Sequence, residues 1–182
     1  MTHGDREPLR IALLHDGSAG GDQAHELAAA LRAAGHHPHL LSASPAGPTQ
    51  ALLRRRGFTG RLTPVPFGVA ALLRGGFDVA HAFSPADALT ALVWRRLVGR
   101  PAVFTCAEPL QRDRLADRRL RMWVLQHAVG DSDAVIAATE EAQAALARWL
   151  ALDAPVIESR DAAGYERLYR ELLAGRDELP SH

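Results

Sequence analysis

Between Gly76 and Glu108 the sequence runs GFDVAHAFSPADALTALVWRRLVGRPAVFTCAE, an order that admits few folds. Asp78 to Ala82 and Ala102 to Thr105 are short apolar runs without helical spacing. They are bounded by Gly75-Gly76, Ser84-Pro85 and Gly99-Arg100-Pro101, as strands buried on both faces should be. Between them Ala86, Leu89, Leu92, Val93 and Leu97 recur at helical intervals, with Ser84 placed to cap and Pro85 preset for a first turn. Two parallel strands joined by a right-handed helical crossover make one βαβ unit.

The same alternation extends along the chain. Leu9 to Leu14 reads as a first strand ending in His15-Asp16-Gly17, and a glycine loop to Gly21 opens a helix that stops at Gly35. His37 to Leu41 is a second strand. Ser44 to Pro66, rich in Pro and Gly, holds a basic helix around Leu52 to Arg56 and a short strand at Leu62 to Val65; a helix at Phe67 to Leu73 follows. After Glu108 come a helix from Arg112 to Val129, a strand from Asp133 to Ala138, and a helix from Glu140 to Leu150 capped by Thr139. A last strand at Val156-Ile157 and a last helix at Tyr165 to Leu173 complete the series. The pattern predicts an α/β fold: a single Rossmann-like, doubly wound parallel sheet with helices on both faces, whose ligands gather at the strands' carboxyl ends.

With 182 residues the chain is long enough for one domain with a sizeable core, and residues 1–182 are expected to form a single domain. Its 21 basic and 21 acidic residues balance, so bulk charge calls for no nucleic acid or acidic surface. The single cysteine, Cys106, rules out an internal disulfide and fits a reducing compartment. No apolar run reaches membrane-spanning length and the first ten residues are too polar for a signal peptide, so a cytoplasmic protein is expected.

Several chemistries lack their residues. The chain contains no lysine, which excludes a P-loop, and no G-x-S-x-G elbow. Cys106 ends a buried strand, where cysteine is usually a small hydrophobe. His36, His37 and His39 come without an acid or cysteine cluster, so no metal site is expected. The Gly17 to Gly21 loop suits a phosphate or sugar oxygen, or serves as a plain strand-to-helix turn; it is not the dinucleotide fingerprint. Arg54 to Arg56, and Arg112, Arg114, Arg118, Arg119 and Arg121, form two basic runs. The second is interleaved with Asp113 and Asp117 and reads as a solvated face, although basic helices beside apolar side chains can lean on a membrane surface.

Four blocks, LAAALRAAGHHPHLLSA, FDVAHAFSP, GRPAVFTCAE and SDAVIAATEEAQAAL, resemble the N-terminal, acceptor-side domain of family 4 glycosyltransferases of the GT-B fold. They occur in the family's order and cover Leu9 to about Ile157. The resemblance implies roles for named positions. Gly20 and Gly21 resemble the double glycine beside the donor's diphosphate and sugar. His81, Phe83 and Ser84, with Thr105, Cys106, Ala107 and Glu108, look like walls of the acceptor cleft, and Thr139 and Glu140 like the start of the helix facing it. Asp16 and Glu108 are the candidate catalytic groups.

Two departures from the family pattern stand out. Where the family commonly has Thr-x-His, this chain reads Thr105-Cys106-Ala107. The family's second domain, which binds the nucleotide sugar, has no counterpart after Ile157, yet Ala163 to Ala174 resembles the terminal helix that crosses back onto the first domain. The resemblance therefore implies an acceptor domain that is inactive alone and works as a subunit or accessory partner of a separate chain, with no cofactor of its own and a nucleotide sugar only when completed. The alternatives are the acceptor-binding half of a split active transferase and a homodimer covering its own strand ends, to which Phe67, Phe83 and Pro109 would contribute. A small-molecule Rossmann enzyme ranks last, since only analogy of fold suggests it. A sugar or lipid acceptor is expected, with at most peripheral membrane contact.

Overall fold

The computed structural model describes residues 7–15, 20–42, 65–106, 119–149, 156–158 and 161–177. Strand β1 (Arg10–His15) leads through helix α1 (Gly20–Ala33) to β2 (His37–Ser42). Helix α2 (Val65–Gly75), β3 (Val79–Ala82), α3 (Pro85–Val98), β4 (Ala102–Cys106) and α4 (Arg119–Gly130) follow. The order ends with β5 (Ala134–Ala137), α5 (Glu140–Trp149), β6 (Val156–Glu158) and α6 (Ala162–Asp177). Leu52 to Arg56, Leu62 to Pro64 and Arg112 to Arg118 lie outside the described residues, and Val65, expected to end a strand, begins α2.

The six strands pair in the order β2-β1-β3-β4-β5-β6, all parallel. The chain steps from β1 to β2, then crosses back to β3 on the other side of β1. This reversal makes the carboxyl ends of β1 and β3 the sheet's topological switch point. Pro38 sits in β2, at the edge of the described sheet, where a missing N–H is tolerated.

Strand alternation sorts the core into two halves. Ala12, Leu14, Ala80, Ala82, Phe104 and Cys106 face one way, toward Leu72 of α2, Trp94 of α3, Leu125 of α4 and Leu146 of α5. Ile11, Leu13, Val79, Val103 and Ile136 face the other way, toward Leu27 and Leu31 of α1 and Leu168 and Tyr169 of α6. The expected helices on both faces are therefore present.

Local chemistry sets the helix ends. Ser84 accepts from the Asp87 N–H at 3.2 Å and donates its hydroxyl to Asp87 Oδ2 at 2.6 Å, capping α3 with Pro85 in its first turn. Gly99 ends the same helix at φ 71°, a conformation in which a β-carbon is costly. One expectation needs correction. Val93 and Leu97 share the helical spacing of the core residues but are 42% and 62% exposed, while Trp94 takes the core position at 2%. Leu120 and Trp123 likewise face outward, because α3 and α4 pack side by side over one sheet face and only one stripe of each can reach it.

Candidate functional site

The carboxyl ends of β1 and β3 meet through Leu14 paired with Ala82, and the Phe83 N–H donates to the Leu14 carbonyl at 3.0 Å. Helix α1 begins directly against this point. A β-carbon on Gly20 would lie 2.7 Å from the Phe83 carbonyl oxygen and 2.9 Å from its Cβ, so only glycine lets the helix start this close. On Gly21 a β-carbon would stand 3.4 Å from His15 Nδ1. The His15 and His25 rings meet edge to face at 5.3 Å. The amino-terminal end of α1, the positive end of its dipole, is thus seated at the crevice, a setting for an anionic or oxygen-rich group.

Gly20→Ala is accordingly expected to push α1 off β3, at a cost of about 1–3 kcal/mol from overpacking. Thermal melting of the variant checks this. An unchanged midpoint would mean that the helix start has room to spare.

The other residues expected at the site divide. His81 and Thr105 turn away from the crevice, because strand alternation aims them with Val79 and Val103 into the layer under α6. His81 Nδ1 lies 2.6 Å from the Tyr169 hydroxyl and its Nε2 2.7 Å from Thr105 Oγ1. In either neutral tautomer one hydroxyl donates to the ring and the other accepts from it. Burial pushes the His81 pKa down to about 3, and it raises the Tyr169 phenol well above its ordinary value, with Tyr165 adding to the rise. These three side chains form a closed polar contact in the core.

Phe83 is 5% exposed, its ring stacked on His81 at 4.5 Å, so it presents its backbone rather than an apolar face. The Ser84 hydroxyl is committed to the cap of α3. Cys106 points into the opposite core layer. Thr139 caps α5, accepting from the Ala142 N–H at 3.1 Å, and Glu140 follows it, exposed. They stand at the β5 end, where the Ala138 N–H bonds the Cys106 carbonyl, two strands away from β3. Asp16, Ala107, Glu108 and Pro109 lie outside the described residues. His15 was not among the expected site residues; its place as the last residue of β1 was the signal for it.

Among the described residues no group of three or more His, Cys, Asp or Glu side chains is placed to hold a metal. A cavity of about 610 Å³ lined by Arg95, Gly99, Asp133, Leu172 and Arg176 lies at the amino-terminal end of the sheet, far from the switch point.

Against known proteins, the sequence model described as Glycosyltransferase Family 4 matches residues 21–158. The chain belongs to glycosyltransferase family 4. Among solved structures, this family 4 chain resembles sucrose-phosphate synthase from Thermosynechococcus elongatus. With a form of that enzyme designated by its ranges 27–220 and 406–426, the TM-score is 0.64 at 18% identity, covering 90% of this chain and 98% of that one. With a longer chain of the same enzyme the TM-score is 0.63 at 17% identity, covering 85% of this chain and 47% of that one. The family 4 chain thus spans about half of the longer enzyme chain. The likeness bears out the Rossmann-like, GT-B reading of the fold. No curated protein matches the sequence. No helix among the described residues is long and apolar enough to cross a membrane.

Proposed function

We propose that this domain forms the acceptor side of a glycosyl-transfer cleft and is inactive until a nucleotide-sugar-binding domain on a partner chain covers its strand ends. The observation that carries this reading is the glycine-seated start of α1 at the switch point, within a family 4 fold. Gly20 and Gly21 lie against the donor's diphosphate and sugar, and Thr139 and Glu140 border the acceptor. Asp16 and Glu108 are the candidates for proton transfer.

A transferase gains rate by fixing donor against acceptor and excluding water, and the described strand ends supply one wall of such a cleft. Support for treating α6 as part of the same domain comes from the two separated ranges of the matched form, which this chain covers almost entirely. The His81 to Tyr169 contact gives the same support from within the molecule.

Purified protein incubated with a panel of nucleotide sugars and candidate acceptors is expected to show no turnover. Turnover should appear when a chain that co-purifies from the native host is added, and Gly21→Val should abolish it. Robust transfer by the isolated chain would overturn the proposal.

A further inference from the structure

Every large hydrophobic residue that is strongly exposed among the described residues lies on one layer of helices. Phe67 and Leu73 are on α2, Val93, Leu97 and Val98 on α3, and Leu120 and Trp123 on α4; the described side chains of α1, α5 and α6 contribute none. Helix α3 packs against both neighbours, with Gly68 of α2 seated on the Thr90 methyl, so the three outer faces adjoin. Phe67 is 76% exposed, and it is the grouping of such residues on adjoining helices, rather than any one of them, that marks an interaction surface.

The charge on this layer is one-sided although the chain as a whole is neutral. Among the described side chains the three helices carry Arg74, Arg95, Arg96 and Arg119 against a single acid, Asp87, which is buried at the α3 cap. Arg95 is held by Asp133, and Arg96 bonds Asp131 in an exposed pair that water weakens. Arg74 and Arg119 make no ion pair with a described residue. A second copy meeting this face in a two-fold arrangement would bring arginine toward arginine. A bilayer with anionic headgroups meets both properties at once, taking the apolar side chains below the headgroup level and pairing the arginines with phosphate.

We infer that the α2, α3 and α4 face docks on an anionic lipid bilayer as a peripheral contact. The contact places the domain at a membrane with the strand ends left clear, since these helices flank the sheet rather than cap its carboxyl edge. It is independent of whether a donor domain completes the cleft.

Co-sedimentation of the full chain with vesicles tests this. The protein is expected to pellet with vesicles of phosphatidylcholine mixed with phosphatidylglycerol, to stay in solution with phosphatidylcholine alone, and to be released as salt rises. Leu97→Ser and Trp123→Ser each remove an exposed apolar group without touching the core and should weaken binding about tenfold. Arg74→Glu with Arg119→Glu should abolish the preference for anionic vesicles. No binding to anionic vesicles, equal binding to both kinds, or a dimer in solution that the Leu97 and Trp123 variants dissociate would each overturn the inference.

Discussion

His81→Ala is expected to destabilise the domain by about 3–5 kcal/mol, because it opens a cavity under α6 and strands two hydroxyls in the core. His81 is fully buried, and Tyr169, its partner across the layer, is equally closed to water. Tyr169→Phe removes one partner only and should cost about 1–3 kcal/mol, the desolvation of an unpaired ring nitrogen. Replacing all three groups together, His81→Leu with Tyr169→Phe and Thr105→Val, should cost less than His81→Ala alone, since no polar group is then left without a partner. Urea denaturation of the four proteins checks the order. A Tyr169→Phe midpoint equal to that of wild type would sink the account.

The same histidine sets a pH dependence. With a pKa of about 3 in the folded chain against 6.5 in the unfolded chain, the ring binds its proton more readily when unfolded. Stability from this group is therefore complete above pH 6.5 and falls as pH drops from 6.5 toward 3. The loss approaches about 1.4 kcal/mol per pH unit within that window. His81→Gln should flatten this part of the stability profile relative to wild type. Parallel profiles for the two proteins would show that the ring does not carry it.

Much of the architecture was legible because local signals and period agreed. The run from Ser84-Pro85 to Gly99 marked both ends of α3, and the short apolar runs at β3 and β4 marked strands buried on both faces. What alternation alone left open was which face lies under which helix. It placed His81 and Thr105 on a common side, yet only the docking of α6, far along the chain, decides that this side is core and not cleft. Helical spacing had the same limit at Val93 and Leu97, where neighbouring helices determine which stripe reaches the sheet. The glycine pair at positions 20 and 21 was visible, but its reason, the approach to the Phe83 carbonyl, required the crossover between β1 and β3. The Arg95, Asp133 and Arg176 cluster joins residues separated by 38 and 43 positions, with no local pattern to announce it.

That cluster governs the second large effect, expected from Asp133→Ala. Asp133 Oδ2 accepts from Arg95 Nε at 2.7 Å and from the Ala102 N–H at 2.8 Å. Its Oδ1 accepts from Arg95 Nη2 and Arg176 Nη2, both at 2.8 Å. One carboxylate thus ties the end of α3, the start of β4 and the last turn of α6, where Arg176 also donates to the Gly99 carbonyl. Burial alone would raise the Asp133 pKa, but the bonds from Arg95, the Ala102 N–H and Arg176 together hold it below its ordinary value.

Removing the carboxylate leaves these donors facing a partly dry site, and a loss of about 2–4 kcal/mol is expected, below the full buried-pair range because the arginine side chains are 29% and 24% exposed. The carboxylate's contribution is complete above pH 3.8 and is lost as pH falls through its lowered folded value, so Asp133→Asn should lose less stability than wild type on acidification. Tyr169 and Arg176 are about 10 Å apart along α6 at helical rise. If α6 docks as a rigid unit, Asp133→Ala and Tyr169→Phe should therefore add in their costs within about 0.5 kcal/mol. A combined loss well short of the sum would instead show that the first substitution already releases the whole helix, making α6 a segment held cooperatively from both ends.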